Sequence, residues 1–164
     1  MAVRPVLALA GFLAAAPQDL VLRPLANGVY AVLHESAVPG RSASAKKSQI
    51  TLLYDRDCSD SGKKQPPRYV TLDTSSFVPL ILNGPPELAG EYRGHPMLRL
   101  TLAPDQVKPL EVFTRTNLGG TIAILVDGEI VTMHKVRAVI ENGLVQISRC
   151  DDAACRVMRM KLTR

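Results

Sequence analysis

The stretch GGTIAILVDGEIVTM, residues 119–133, decides the fold of this chain of 164 residues. The nearly continuous aliphatic run Thr121–Val126 predicts a central strand. Asp127-Gly128 then predicts a tight turn, because the favoured two-residue hairpin turns need positive φ angles. Residues 129–133 have the composition of the returning strand. The stretch therefore predicts a β-hairpin that begins from a buried strand.

A strand and a helix are predicted before this hairpin. Leucine alternates with polar residues over Leu98–Leu102, which is the period-two pattern of a strand with one buried face. The helix is expected from Ala103-Pro104-Asp105 to about Asn117, with Pro109 near enough its start to be tolerated. Its apolar stripe contains Val107, Leu110, Phe113 and Thr114. Gly119-Gly120 ends the helix, since glycine readily takes the left-handed conformation of helix termini.

Extended segments account for most of the remaining chain. The predicted strands upstream are Gly28–His34, Ile50–Tyr54 and two short pieces, Tyr69–Asp73 and Pro79–Leu82, separated by Thr74-Ser75-Ser76. Downstream, Asn142-Gly143 predicts a second hairpin between Val139-Ile140 and Leu144–Ile147, and the tail 156–162 predicts an edge strand. This order predicts an α+β fold: a mostly antiparallel sheet with one main helix packed on it, as a two-layer sandwich.

The block from strand to hairpin resembles the periplasmic head subdomain of the SecD family of protein-export factors. In that family a strand leads into a helix that ends near a Thr and an Asn, here Thr116-Asn117, followed by a Gly. An LAIVLDG-like strand and turn come next, here TIAILVDG (121–128), and a later Gly, here Gly143, precedes the last strand. The best-matched part is 96–148. Upstream, Tyr69–Leu72 to Leu88-Ala89-Gly90 is similar to the segment that leads into the head.

The resemblance implies the fold, an extracytoplasmic location and contact with a polypeptide. SecD proteins carry transmembrane helices that couple the head to transport, and no segment here approaches the ~20 apolar residues that such a helix needs, apart from the shorter N-terminal run. Proton-driven transport is therefore not implied. We expect residues 17–164 to form a single SecD-head-like domain, without cofactor or metal.

The first sixteen residues have the plan of a secretory signal. Arg4 supplies a positive charge, 6–16 is an uncharged apolar run, and Ala14-Ala15-Ala16 offers small residues for cleavage. Cleavage after Ala15 or an uncleaved N-terminus are the alternatives, because Pro17 follows Ala16 directly. A buried N-terminal helix is the structural alternative. The signal predicts export to the periplasm or secretion.

The three cysteines agree with export. Cys150 and Cys155 flank a four-residue segment and are the candidate disulfide, which leaves Cys58 over. The cysteine spacings are not CxxC, and His34, His95 and His134 lie far apart along the chain, so a zinc site is not expected.

The net charge of +5 favours an acidic partner or an anionic membrane surface. The basic residues come in small groups, and we take these as possible contacts: Lys46, Lys47, Lys63, Lys64, Arg156 and Arg159. The alternative is that they only solvate loops and an edge strand. Few aromatic residues are interleaved with them, so single-stranded nucleic acid is not an expected partner.

The sequence carries no catalytic signature. Gly119-Gly120 lacks the spacing of a phosphate-binding loop, and Ser75-Ser76 lacks a nucleophile elbow. The leading hypothesis is an exported, non-enzymatic accessory domain that binds an envelope or secreted protein or an unfolded polypeptide. A second hypothesis is an envelope-associated structural protein held at the membrane by an uncleaved N-terminus and basic groups. A third, a secreted hydrolase, requires the scattered His and Asp residues to converge.

Overall fold

A computed structural model describes residues 25–38, 48–55, 66–92, 94–147 and 158–163. The elements follow in this order: β1 (Gly28–Ser36), β2 (Gln49–Tyr54), β3 (Arg68–Pro79), β4 (Glu87–Tyr92), β5 (His95–Thr101), α1 (Pro104–Thr116), β6 (Thr121–Val126), β7 (Glu129–Lys135) and β8 (Leu144–Ile147). The α+β class and the predominance of antiparallel strands are confirmed.

The described strands form two sheets rather than the one that was expected. A five-stranded sheet has the order β2-β3-β1-β6-β7, and a three-stranded sheet has the order β4-β5-β8. Every pairing in both is antiparallel. The larger sheet curls into a half-barrel, so that its edge strands β2 and β7 approach each other.

Strand β6 is buried on both of its faces, which explains its unbroken aliphatic sequence. Ile122, Ile124 and Val126 belong to one hydrophobic core, while Ala123 and Leu125 belong to another. Side chains alternate between the two faces of a strand, so one strand serves both cores. Its predicted central position is confirmed, since β1 and β7 flank it.

The two cores lie on opposite faces of the half-barrel. The first joins the half-barrel to the three-stranded sheet and α1, and its buried residues are Val29, Val78, Leu80, Leu98, Leu100, Leu102, Leu110, Phe113, Ile122, Ile124, Val126, Val136, Val145, Ile147 and Met158. The second contains Tyr30, Tyr54, Val70, Leu72, Ala123, Leu125 and Ile130. Phe77 packs against this second core and stacks on Tyr30, with ring centroids 4.7 Å apart.

Helix α1 runs from Pro104 to Thr116 and continues through Pro109. Leu110 and Phe113 face the first core, and Thr114 is fully buried. The Thr114 hydroxyl donates to the Leu110 carbonyl (2.9 Å) and accepts the Ile140 amide hydrogen bond (3.0 Å). One buried hydroxyl therefore attaches the helix to the connection between β7 and β8.

The turn between β6 and β7 has positive φ at both central residues. Val126 pairs with Glu129, and the residues between them, Asp127 and Gly128, have φ of 52° and 77°. The Asn27 side-chain oxygen accepts the Asp127 amide at 2.7 Å, which ties the turn to the start of β1. A Cβ added at Gly128 would meet no atom within 4 Å, so its requirement for glycine is one of backbone conformation.

Three local predictions are wrong. The first is the break at Thr74-Ser75-Ser76, where β3 runs on without interruption. The register with β1 passes from Tyr30↔Phe77 to Val32↔Leu72, so residues 73–76 form a bulge. The Asp73 carboxylate accepts the Ser75 amide at 2.8 Å and its hydroxyl at 2.6 Å. These polar residues therefore bend the strand instead of ending it.

The second wrong prediction is the hairpin at Asn142-Gly143. Strand β8 pairs with β5, and 139–140 belong to no strand. Gly143 has φ of 68°, and a Cβ there would lie 2.8 Å from a Val107 methyl. Glycine is thus required where the chain passes helix α1. Asn142 accepts the Leu144 amide at 3.1 Å within the same turn.

The third wrong prediction is the edge strand in the tail, because residues 158–162 form a short helical turn. Met158 is buried in the first core, and Leu162 packs against the same core. Their i, i+4 spacing places both on one face of a helix. The Lys161 ammonium lies 3.5 Å from the Asp127 carboxylate and 3.7 Å from that of Glu129, so the turn also contacts the hairpin.

Replacing Gly128 with Val should lower the free energy of unfolding by roughly 1–3 kcal/mol, since a β-branched residue is strained at positive φ. Gly128→Asn is the matched control, because Asn tolerates this conformation and should lose less. Denaturant unfolding of the three proteins measures both changes. Equal stability of the Val and Asn variants would contradict a turn that depends on positive φ.

Replacing Thr114 with Val should lower the free energy of unfolding by about 1–3 kcal/mol, because it leaves the Ile140 amide without its acceptor at nearly constant volume. Thr116 is the control: its hydroxyl makes the same bond to the carbonyl four residues earlier, at 2.9 Å, but is exposed. Thr116→Val should change the stability by no more than about 0.5 kcal/mol. Similar losses in both variants would refute the role given to Thr114.

Candidate functional site

Most residues predicted as contacts lie outside the described part of the chain. These are Lys46, Lys47, Lys63, Lys64 and Arg156. Arg159 is described and lies exposed on the C-terminal helical turn. The structure therefore neither groups nor separates the predicted basic contacts.

The predicted disulfide and signal also lie outside the described residues. Cys58, Cys150 and Cys155 fall there, as does the segment 1–16. Among the described residues, none of the helical segments has the length and hydrophobicity that a bilayer crossing needs.

Those His and Asp residues weighed for hydrolysis that the structure describes do not converge. His34 is exposed near the end of β1, opposite Thr71, whereas His134 pairs with Ile122 and contacts the Thr132 hydroxyl at 3.1 Å. Asp127 occupies the hairpin turn. Within the described ranges, no three His, Cys, Asp or Glu side chains are grouped so that they could hold a metal ion.

The outer face of the three-stranded sheet is the most distinctive described surface. Leu98, Leu100, Val145 and Ile147 occupy the inner face of this sheet. The alternate residues of the same strands occupy the other side, and we call this set the outer face: Glu87, Met97, Arg99, Thr101, Leu144 and Gln146. Because side chains alternate along strands, the register that buries the leucines also fixes this surface.

Arg99 lies at the centre of the outer face. It is directly opposite Glu87 on one neighbouring strand and Gln146 on the other. Its Nε atom is buried and has no hydrogen-bond partner in the described structure. An unpaired buried donor is uncommon in folded proteins, and leaving one costs about 1–3 kcal/mol.

Other basic side chains in the described part of the chain form ion pairs with acidic residues. On α1, Glu111 accepts from Lys108 at 2.9 Å and from Arg115 at 3.0 Å, and these bonds hold the pKa of the Glu111 carboxyl below its usual value. The Arg68 Nε atom is buried like that of Arg99, and it lies 3.2 Å from a Glu35 carboxylate oxygen. Arg99 combines a central position in a sheet, a buried Nε and no ion pair among the described residues.

The sequence contained the signal for the outer face, although the prediction did not use it. The alternation over Leu98–Leu102 was used only to predict a strand whose leucines are buried. The same alternation places Met97, Arg99 and Thr101 on the opposite side of that strand. The pairing of β5 with both β4 and β8 was not foreseen. Without that pairing, neither the central position of Arg99 nor its neighbours could be predicted.

A second exposed surface lies on the half-barrel, where β1, β2 and β3 extend beyond the first core. Leu33 and Leu53 are 50% and 53% exposed there. Ser36 and Leu53 both pair with Tyr69, so the ends of β1 and β2 flank β3 on its two sides. This surface adjoins segments outside the described residues.

Comparisons with known proteins give a partial match to one kind of protein. No family model matches the chain. The protein translocase subunit SecDF of Thermus thermophilus is 34% identical over 70 residues, which cover 37% of this chain and 10% of that protein. The chain thus matches about a tenth of the length of this relative.

Two solved structures of SecDF are also similar. One, described as a membrane component that enhances protein export, has a TM-score of 0.43 at 27% identity and covers 51% of this chain and 39% of that chain. The other, SecDF in a super-membrane-facing form, has the same TM-score and identity and covers 51% of this chain and 12% of that chain. The resemblance to a SecD-like head domain, drawn from the motifs, is confirmed.

Proposed function

We propose that this protein is an exported, non-enzymatic binding domain that contacts unfolded polypeptides in protein export. The observation that carries this proposal is the 34% identity to a protein translocase subunit over 70 residues. The proposed partner follows from the role of this relative, because a translocase handles polypeptide chains. The relative is far longer than the matched segment, so the proposal takes over contact with the polypeptide and not transport.

The described surfaces support a binding role. The half-barrel and the three-stranded sheet both contribute to the first core, and on the outer face of the smaller sheet Glu87, Leu144 and Gln146 are exposed. The same face also carries Arg99 and Met97, which are both partly buried. Arginine and methionine are both enriched at protein interfaces.

Export of the protein from the cytoplasm is part of the same proposal. The N-terminal pattern of one charge, an apolar run and small residues supports export. An oxidising compartment would also suit a bond between Cys150 and Cys155. Intact mass measurement of the protein from cell fractions, with and without reductant, tests both, and a full-length reduced chain in the cytoplasm would contradict them.

Binding of an unfolded polypeptide is tested by fluorescence anisotropy with a reduced, carboxymethylated protein as the labelled probe. We expect saturable binding of this probe and none of the same protein in its native, disulfide-bonded form. The matched variants place one aspartate on each of two surfaces: Leu144→Asp on the outer face and Val112→Asp on the exposed side of α1.

Leu144→Asp should weaken the binding and Val112→Asp should not, since only the first introduces a charge within the proposed surface. Thermal unfolding of both variants confirms that they remain folded. Equal affinity for the unfolded and native forms, or no binding of either, would reject the proposed function.

The second candidate is a structural protein held at an anionic membrane, which the net charge of +5 favours. Its distinguishing property is binding to vesicles that contain an anionic lipid, weakened by added salt. Vesicle binding without polypeptide binding would favour this candidate over the first.

A further inference from the structure

Asparagine followed by glycine occurs three times in the chain, at Asn27-Gly28, Asn83-Gly84 and Asn142-Gly143. In such a pair the backbone nitrogen of the glycine attacks the side-chain carbonyl carbon of the asparagine, since glycine has no Cβ to obstruct the approach. A new C–N bond forms, the C–NH2 bond of the side chain breaks, and ammonia leaves with the backbone proton. The product is a cyclic succinimide, which water opens at either carbonyl to aspartate or isoaspartate.

This reaction requires conformational freedom at both residues of the pair. The attacking nitrogen must come within ~3–3.5 Å of the carbonyl carbon in the correct orientation. Strand pairing or a hydrogen bond that fixes either residue keeps the two atoms in another arrangement. The fold therefore decides which of the pairs reacts, although all of them share the same two residues.

The Asn27-Gly28 pair is fixed by the five-stranded sheet. Gly28 is buried in β1 and is paired on both sides, with Pro79 of β3 and Leu125 of β6. The Asn27 side-chain oxygen accepts the Asp127 amide at 2.7 Å. Neither residue can move toward the other unless β1 separates from its neighbours and this hydrogen bond breaks.

The Asn142-Gly143 pair is fixed where the chain passes helix α1. The Asn142 side-chain oxygen accepts the Leu144 amide at 3.1 Å, and the Gly143 carbonyl accepts the Leu102 amide at 3.0 Å. Gly143 is buried, and the position of a Cβ there lies 2.8 Å from a methyl group of Val107. The side chain is thus held by a hydrogen bond and the glycine by packing.

The Asn83-Gly84 pair has none of these restraints. Both residues are exposed in the connection between β3 and β4. Neither the Asn83 side chain nor the Gly84 backbone forms a hydrogen bond with any described residue, and no atom lies within 4 Å of a Cβ position at Gly84. We propose that Asn83 is a site of spontaneous deamidation in the folded protein, whereas the fold protects Asn27 and Asn142.

The modification changes the chain on the side of β4 and leaves the preceding contacts in place. The Asn83 amide donates to the Thr101 carbonyl at 2.8 Å, and Leu82 forms a bridge with Leu102. These contacts involve atoms that the reaction does not alter. Isoaspartate carries the main chain through the former side chain, which adds a methylene group and leaves a free carboxylate. The modified protein therefore gains a negative charge and a longer connection to the edge strand β4.

The test is peptide mapping by mass spectrometry after incubation of the folded chain at mildly alkaline pH. Tryptic cleavage places the three asparagines on separate peptides, so each rate is measured by itself. We expect Asn83 to deamidate at least about tenfold faster than Asn27 or Asn142, as the loss of one hydrogen bond in each protected pair allows. The modified peptide should contain isoaspartate as well as aspartate. Asn83→Gln should abolish the modification, because a glutamine side chain does not form the succinimide ring.

The matched control is the same chain incubated in denaturant, where the three rates should converge because the restraints of the fold are gone. Similar rates at the three asparagines in the folded chain would overturn the proposal. A preference for Asn83 that persists unchanged in denaturant would also overturn it, since the local sequence and not the fold would then set the rate. Aspartate without isoaspartate at this position would reject the succinimide route.

Discussion

The burial of β6 on both faces is the constraint on which the rest of the structure depends. Ile124 is fully buried in the first core and Leu125 is fully buried in the second. Substitution at any position from Ile122 to Val126 therefore removes packing from one core or the other. The strand also carries the Asp127-Gly128 turn into β7, and Asn27 and Lys161 contact that turn. Residues near both ends of the described chain thus contact the turn that follows β6.

Much of the fold could be predicted where local pattern and tertiary position agree. The unbroken aliphatic run of β6, the alternating leucines of β5 and the stripe of α1 each express a single period in the sequence, and the structure confirms these elements. The predictions failed where the same residue types are common in more than one kind of local structure. Thr74-Ser75-Ser76 has the composition of a turn, but strand pairing on both sides of it makes it a bulge. Tertiary contacts, which the sequence does not display, decide between the two.

The candidate site was harder to predict from the sequence than the fold, because it depends even more on tertiary contacts. The predicted basic contacts were chosen by composition, and most of them lie outside the described residues. Arg99 was quoted only as a polar residue between leucines. Its importance arises from the pairing of β5 with β4 and β8, which are distant from each other in the chain. The pairing of β5 with β8 is long-range and has no local signature, whereas the helix and hairpin do.

The proposed function depends on how the fold holds the three-stranded sheet. The half-barrel and its shared strand hold the three-stranded sheet through the first core, and on the outer face of that sheet Glu87, Leu144 and Gln146 are exposed. The proposed contact with a polypeptide is supported by the 34% identity to a protein translocase subunit over 70 residues. A rigid sheet face suits this role, because groups held by strand pairing lose little freedom on binding.

Native-state hydrogen exchange resolved by residue tests most directly whether β6 unites the two cores. The account predicts that the amides of Ile122 to Val126 exchange only through global unfolding, with the free energy obtained from denaturant. Amides of β3 beside the second core and of β5 beside the first should share that value, since neither core can open while β6 remains in place. Exchange of one core at a clearly lower free energy, with β6 still protected, would contradict the account and show two independently folding parts.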